Sequence, residues 1–184
     1  MTVELQGARI TLRMGTPADI PAILAYYREN EAFLKPWDPV RLAIFYTEGY
    51  WRDRLYMDEE DLKAFRSLHL FIFERSEVIG VVNFNGLVQG AAWYCNLGYG
   101  LAEKREGQGL MREALDLGLT YAFNELKLHR IQANYMPHNR RSGGLLRRLG
   151  FVVEGYARDY LYLNGAWEDH VLTSLTNPRW LPPG

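Results

Sequence analysis

The sequence contains a single cysteine, Cys95, so it has no intrachain disulfide and suits a reducing compartment. It also lacks an excess of charge, because 21 Lys and Arg residues against 22 Asp and Glu residues leave a formal net charge of −1. This balance gives no reason to expect a nucleic acid or a membrane as direct partner. No apolar run reaches the roughly 18 residues of a membrane span, and residues 1–7 have no apolar signal-peptide core. We therefore expect a cytoplasmic protein.

Metal-ligand patterns are missing as well. No cluster of His, Cys and Asp has the spacing of a metal site, so we expect no metal. Three isolated histidines, His69, His129 and His170, are interpreted as structural. The chain has 184 residues, of which 48% are hydrophobic, and this predicts one globular domain over residues 1–184.

Hydrophobic periodicity predicts alternating strands and helices. Strands are predicted at 10–13, 68–75, 78–84, 93–101 and 130–136, and helices at 17–29, 46–66, 110–126 and 140–149. Residues 151–163 and 167–175 are predicted to form a terminal hairpin that turns at Asn164-Gly165. Pro36 to Pro39 is expected to break the first helix, and we interpret the aromatic residues Tyr46, Tyr50 and Trp51 as lining a surface. The order predicts an α/β sandwich, a mixed central sheet with helices on both faces.

A glycine-rich turn, Glu106 to Met111, follows a predicted strand and leads directly into an amphipathic helix. Free N–H groups and the helix dipole at such a turn favour an anion, here a pyrophosphate. No Gly-Lys-Ser/Thr follows, so the turn is not a Walker loop, and a third glycine is missing for a dinucleotide fingerprint. A second block, His138 to Ser142, lies about 30 residues further on and precedes a Leu-rich helix that ends in Gly150-Phe151.

The two blocks together resemble the pyrophosphate loop and the following Asn-x-x-Ser helix of the GNAT N-acetyltransferases. Three further stretches, 129–143, 154–160 and 169–172, resemble the RimJ/RimL branch of that superfamily. The resemblance covers most of the chain and is most specific from about Gly98 to Trp180. Little family signal is found from Glu31 to Ser67.

The resemblance implies the GNAT fold, acetyl-CoA as co-substrate and the N-terminal amine of a ribosomal protein, in particular one starting with alanine, as acceptor. It implies that backbone N–H groups near Tyr99 hold the acetyl carbonyl and that Ser142 protonates the departing thiolate. The residues implied to contact the cofactor are Gly100, Leu101, Arg105, Glu106, Gly107, Gln108, Gly109, Leu110, Met111, Asn134, Asn139 and Ser142. From sequence alone, the default interpretation of Asn139 is an N-cap and that of Ser142 an ordinary residue of the first helical turn; the resemblance favours the roles at the cofactor.

Residues of the acceptor site are predicted from position. Glu31 follows the first helix and can meet an ammonium group, although a solvated helix end is the simpler interpretation. Asn83 and Asn85 alternate on one face of a strand, where a peptide backbone can satisfy their amides. Trp37 and Tyr160 are candidates for the walls of a peptide channel or for core packing.

The sequence departs from the superfamily pattern at the expected site. Glu106 replaces the usual Gln or Arg of the loop, and Met111 replaces a small residue. Leu146 stands where many relatives have a Tyr acting as general acid, and Cys95 and Asn96 stand where many have a Glu. These departures leave two alternatives open besides N-terminal acetylation: acetylation of a small amine such as a polyamine, amino acid or aminoglycoside, and a non-catalytic CoA-binding factor associated with the ribosome.

Overall fold

A computed structural model describes residues 2–182. Its strands are β1 (Glu4–Gln6), β2 (Thr11–Arg13), β3 (Ser67–Glu74), β4 (Glu77–Val88), β5 (Tyr94–Leu101), β6 (Arg130–Gln132), β7 (Val152–Leu163) and β8 (Ala166–Thr176). Its α-helices are α1 (Ile20–Glu29), α2 (Glu31–Leu34), α3 (Glu48–Lys63), α4 (Leu110–Asn124) and α5 (Arg140–Arg148). The strands form one sheet in the order β1-β2-β3-β4-β5-β6-β8-β7. Only β5 and β6 pair in parallel among these neighbours, so the predicted mixed sheet is confirmed.

Helices cover both faces of the sheet, and each face has its own core. Because successive residues of a strand point to opposite faces, Leu68, Leu70 and Ile72 of β3 lie on one side and Phe71 and Phe73 on the other. The first set packs with α4 and with Leu146 of α5, and we call this side the α4–α5 face. The second set packs with α1, α2 and α3, and we call this side the α1–α3 face.

The central strands separate partway along their length. β5 pairs with β6 only from Tyr94 to Asn96, opposite Arg130 to Gln132. Beyond Asn96, β5 continues to Leu101 along β4 alone. The sheet therefore has a V-shaped split beside residues 97–101, and this split connects the two faces.

One prediction about the fold is wrong. Trp51 does not line a surface: it is buried, with an exposed fraction of 4%, and its ring stacks on Tyr27 at a centroid distance of 5.2 Å. Phe45 and Tyr50 pack against it edge-on, so these aromatic rings form the core of the α1–α3 face.

Smaller differences concern the ends of elements. The sequence did not predict β1, and α2 separates the end of α1 from the proline-rich break. The predicted strand 130–136 is shortened to β6, with an isolated bridge between Tyr135 and Val171, because the chain bends away where the sheet splits. Within residues 2–182, no helix is both long enough and apolar enough to cross a membrane.

Candidate active site

A cavity of about 1070 Å³ occupies the split in the sheet. Its lining comes from both faces: the loop before α4 and the start of α5 on one side, and α1, α2 and the segment after α2 on the other. The exposed strand edge of β5 forms its centre. A single cavity thus joins the glycine-rich loop to the α1–α3 face.

Backbone donors of β5 point into the split. The Ala102 N–H donates to Ile79 O at 2.8 Å, and this pair continues the register that places Leu101 opposite Gly80 and Gly100 opposite Val81. Since opposed pairs of an antiparallel ladder alternate between bonded and non-bonded, Gly100 bonds to β4, whereas the N–H groups of Tyr99 and Leu101 point away from it. Tyr99 and Leu101 therefore present backbone N–H donors to the split.

The glycine-rich loop has the geometry of an anion site. Gly107 and Gly109 adopt positive φ angles of 73° and 78°, and Gly109 is the N-cap of the 15-residue helix α4. A Cβ at Gly107 would contact nothing within 4 Å, so a ligand can approach this backbone closely. The loop together with the α4 N-terminus fits a pyrophosphate group.

Two arginines hold this loop in place. Arg9 donates to Gln108 O at 2.8 Å and pairs with Glu113 of α4, which holds one loop carbonyl away from the cavity. Arg141, in the first turn of α5, forms an ion pair with Glu106. This pair compensates the acidic side chain that is unexpected beside a phosphate.

A hydroxyl pair lies on the α4–α5 face of the split. The Tyr99 hydroxyl is 2.8 Å from Ser142 Oγ, and either group can donate to the other. Burial raises the pKa of Tyr99 to about 12, against the opposing effect of the Ser142 hydrogen bond, so the phenol stays protonated at neutral pH. The pair can therefore release a proton into the cavity. It also supplies a phenol from β5 in place of the one that Leu146, buried in the core, does not provide.

Asn139 fixes the position of Ser142. Its side-chain oxygen accepts the Ser142 N–H at 3.1 Å and caps α5. The capping interpretation of Asn139 is thus confirmed, and Asn139 also lines the cavity.

The α1–α3 face contributes amide and aromatic groups. Asn83 and Asn85 of β4 and Asn96 of β5 line the cavity floor, next to Gly98, where no side chain covers the sheet. The Tyr26 hydroxyl is buried above Gly100 and has no hydrogen-bond partner among residues 2–182.

An ion pair closes the outer end on this face. Asp38 and Arg41 form a salt bridge, and the Arg41 guanidinium lies over the rings of Tyr27 and Phe45. Burial raises the pKa of Asp38, although Arg41 opposes the shift. Asp38 O also accepts the N–H of Asn164, so the tip of the β7–β8 hairpin is fixed to this segment.

The hairpin forms the last wall. The β7–β8 register is irregular between Ala157 and Leu161, and Asp159 there has a φ of 48° while its N–H donates to Asp169. In this bulge Tyr160 accepts a hydrogen bond from Asn134 Nδ2 at 3.2 Å and contacts the His170 ring. The bulge places Tyr160 at the cavity.

Comparison with known proteins agrees with this geometry. A family profile described as the acetyltransferase (GNAT) domain matches residues 9–152. The chain belongs to the GNAT acetyltransferase family. The [ribosomal protein uS5]-alanine N-acetyltransferase of Escherichia coli is 46% identical over 182 residues, covering 98% of this chain and 94% of the relative. The GNAT fold and the enzyme class predicted from the sequence are both confirmed.

Solved structures of this GNAT family support the same assignment. The ribosomal-protein-S5-alanine acetyltransferase of Vibrio fischeri superposes with a TM-score of 0.94 at 35% identity, covering 98% of this chain and 100% of that one. Mycobacterium smegmatis RimJ in complex with CoA-disulfide superposes with a TM-score of 0.88 at 28% identity, covering 100% of this chain and 90% of that one. A structural neighbour of this acetyltransferase therefore binds CoA.

Most of the predicted site residues of this GNAT chain meet at the cavity. They are Trp37, Asn83, Asn85, Tyr99, Gly100, Leu101, Glu106, Gly107, Gly109, Leu110, Met111, Asn134, Asn139, Ser142 and Tyr160. Asn134 is the one whose contacts differ from the expected cofactor role. It joins the segment after β6 to the hairpin, because its Oδ1 accepts the Thr173 N–H and its Nδ2 donates to Tyr160.

Three predicted residues are not among the residues that line the cavity. Arg105 pairs with Glu74 and Glu77 at the outer side of the sheet. The Gln108 amide donates to Lys104 O, and Glu31 is exposed at the start of α2. The structure gives these side chains no contact with the site.

Sequence reasoning missed four residues that shape the site: Arg9, Tyr26, Asp38 and Arg41. Arg9 is about 100 residues from the loop that it braces, and no motif connects them. Asp38 lies inside the Trp37-Asp38-Pro39 break, where a charged residue between aromatic and proline neighbours is the one available signal.

Proposed function

We propose that this chain transfers the acetyl group of acetyl-CoA to the N-terminal α-amine of a protein, an alanine-starting ribosomal protein in particular. The single observation on which the proposal depends is the continuous cavity through the split sheet. It has a phosphate-type loop and a proton-donating pair on the α4–α5 face and an amide-lined channel on the α1–α3 face. The relatives named above for alanine N-acetylation support the choice of acceptor.

The α4–α5 face binds acetyl-CoA in this proposal. The loop at Gly107 and Gly109 receives the pyrophosphate, and the N–H groups of Tyr99 and Leu101 receive the acetyl carbonyl. As the amine forms its C–N bond, these N–H groups stabilise the oxygen that gains negative charge, an effect of about 3 kcal/mol per donor in comparable enzymes. Because the donors are strand backbone, they need no rearrangement.

The reaction needs two proton transfers: the amine loses a proton after it attacks, and the departing thiolate gains one. An α-amine has a pKa of about 7.7–8.0, so part of it is neutral at pH 7, and water can accept the proton lost after attack. When the C–S bond breaks, Ser142 Oγ donates its hydrogen to the thiolate and takes one from the Tyr99 hydroxyl. The Tyr99 oxygen regains a proton from water, which balances the proton that the amine released. The Tyr99–Ser142 pair thus acts as general acid.

The α1–α3 face receives the acceptor chain. Asn83 and Asn85 bond its backbone, Trp37 and Tyr160 form its walls, and the Asp38–Arg41 pair borders its exit. We propose that the protein works in the cytoplasm as one domain.

The test is release of free thiol from acetyl-CoA with peptides starting in Ala, Ser, Met or Thr and, in parallel, with polyamines. The proposal predicts turnover of the Ala peptide with the highest kcat/KM. Turnover of polyamines alone would discard the peptide acceptor, and CoA binding without turnover of any amine would indicate a non-catalytic factor.

A further inference from the structure

His69 of β3 lies behind the cavity in a polar network that the proposed reaction does not use. Its Nδ1 is 2.7 Å from Asp58 Oδ1 and 2.5 Å from Arg54 Nη2, and its Nε2 is 2.8 Å from Asn85 Oδ1. Asp58 of α3 is buried, with an exposed fraction of 4%, and it pairs with Arg54 one helical turn earlier. The network therefore extends from a buried carboxylate to a side chain that lines the cavity.

The donor and the acceptor of the hydrogen bond between His69 and Asn85 can be assigned. Asn85 lies with its Oδ1 toward the ring, 2.8 Å from Nε2. An amide oxygen can only accept a hydrogen bond, so Nε2 carries the hydrogen of this contact and donates it to Asn85. On the other side of the ring, Nδ1 lies against Asp58 and Arg54, which hold the imidazole in place.

This donation determines which half of the Asn85 amide faces the cavity. With Oδ1 held by His69, Nδ2 lies over the neighbouring strand, 3.9 Å from where a Cβ of Gly98 would be. No residue in the described range 2–182 accepts a hydrogen bond from it. Gly98 leaves the sheet uncovered beside this N–H₂ group, so a ligand in the cavity can reach it.

We propose that His69 is a positioning residue which, held by Asp58 and Arg54, turns Asn85 into a dedicated donor for the first peptide carbonyl of the acceptor chain. This inference rests on the proposed function and names the chemical group that the α1–α3 face recognises. Since Asn85 cannot rotate its oxygen into the cavity without losing the His69 bond, the site favours a peptide over an amine that has no carbonyl.

Steady-state kinetics with an Ala-starting peptide test the proposal. Asn85→Asp keeps the shape and the acceptor for His69 but removes the donor, so we expect the peptide KM to rise about tenfold at similar kcat, as for loss of one hydrogen bond to substrate. His69→Leu should raise the same KM several-fold. His69→Gln, whose amide can place an N–H near the position of Nε2, should restore part of the loss.

Two cycles separate positioning from a structural role. In an Asn85→Ala background, His69→Leu should add nothing to the peptide KM. A thioamide in place of the first peptide carbonyl is a weaker acceptor. This peptide should therefore have a higher KM than the normal peptide with the wild type, whereas the two peptides should have equal KM values with Asn85→Ala. The KM for acetyl-CoA should stay constant throughout, because the glycine-rich loop lies on the other face.

Asp61→Asn is the matched control. Asp61 pairs with Arg66 at 2.7 Å on the same helix end but does not contact His69, so its loss should leave the peptide KM unchanged. The inference would be overturned if Asn85→Asp left the peptide KM unchanged, or if the effects of His69→Leu and Asn85→Ala multiplied. A wild type that turns over no peptide would refute the proposed function, and the inference with it.

Discussion

The two faces of the sheet border the same cavity but supply different kinds of groups. The α4–α5 face offers backbone N–H groups, a glycine-rich loop and one pair of hydroxyls, Tyr99 and Ser142. The α1–α3 face offers side-chain amides, an Asp38–Arg41 ion pair and aromatic rings. Backbone groups are suited to a ligand that does not vary, such as a cofactor. Side chains can be substituted without altering the sheet, so they are suited to determining which acceptor binds.

This difference predicts separable kinetic effects. Changes on the α4–α5 face should affect kcat or the KM for acetyl-CoA, and changes on the α1–α3 face should affect the KM for the acceptor. A variant that altered both KM values without loss of stability would contradict the division. The following variants test it in order of expected effect.

The largest effect is expected from the hydroxyl pair. Ser142→Ala removes the donor nearest the thiolate and should lower kcat about 100-fold, within the usual range for general acid catalysis. Tyr99→Phe should lower kcat less, and the double variant should be no slower than Ser142→Ala, because the two hydroxyls act as a unit. Thiol-release kinetics measure kcat, and an unchanged KM for the Ala peptide would confirm that the effect stays on one face.

The pKa of Tyr99 adds a pH test. Its folded value of about 12 exceeds the ordinary value of 10.0, so the folded state favours the neutral phenol. The contribution of Tyr99 to stability is therefore complete below pH 10 and is lost as the pH rises toward 12. Tyr99→Phe should flatten the fall in melting temperature over that range, and an identical fall in both proteins would contradict the burial of the phenol.

A smaller effect is expected from the phosphate loop. Gly107→Ala forces a Cβ onto a residue with a φ of 73°, which costs about 1–2 kcal/mol and should raise the KM for acetyl-CoA about tenfold. Gly49→Ala is the matched control: a Cβ there also meets nothing within 4 Å, but φ is not positive. That control should leave both KM values unchanged. Equal effects of the two variants would refute a role for the loop.

The faces also differ in how far the sequence predicts them. The loop and the Ser142 helix are local patterns, in which glycine spacing and an N-cap follow from backbone geometry, so their residues and positions were predicted. The Tyr99 phenol was not, because its partner lies 43 residues away and only the fold brings them together. At Tyr99 the sequence indicated only a backbone N–H donor, and the structure adds the side-chain hydroxyl.

The α1–α3 face was predicted poorly for a physical reason. Its residues come from segments without periodic patterns, and Asp38 meets Asn164 only through tertiary contact. Trp51 was misplaced because α3 is rich in charged residues around it, and burial of its ring depends on Phe45 and Tyr27 from other elements. Asn83 and Asn85 were identified because strand alternation is itself a local rule.

A still smaller kinetic effect is expected from the Glu106–Arg141 pair. Glu106→Gln removes a negative charge from the phosphate loop and frees Arg141, so the KM for acetyl-CoA should fall about threefold at low salt, and less at high salt. Glu77→Gln, which removes one carboxylate from the Arg105 ion pairs outside the cavity, is the control and should have no effect. If the KM rose in Glu106→Gln, the carboxylate would instead be needed to order Arg141 and α5.

The smallest effect is expected from the hairpin wall on the α1–α3 side of the cavity. Tyr160→Phe removes the hydroxyl that accepts from Asn134 but keeps the ring, so only the orientation of the wall is loosened. We expect the KM for the Ala peptide to rise about twofold to threefold, less than a full hydrogen bond, while the KM for acetyl-CoA stays constant. Tyr162→Phe on the same strand is the control, since its side chain is exposed and contacts Trp167 rather than the cavity. A rise in the KM for acetyl-CoA in Tyr160→Phe would instead place Asn134 and the hairpin on the cofactor side, as the resemblance first implied for Asn134.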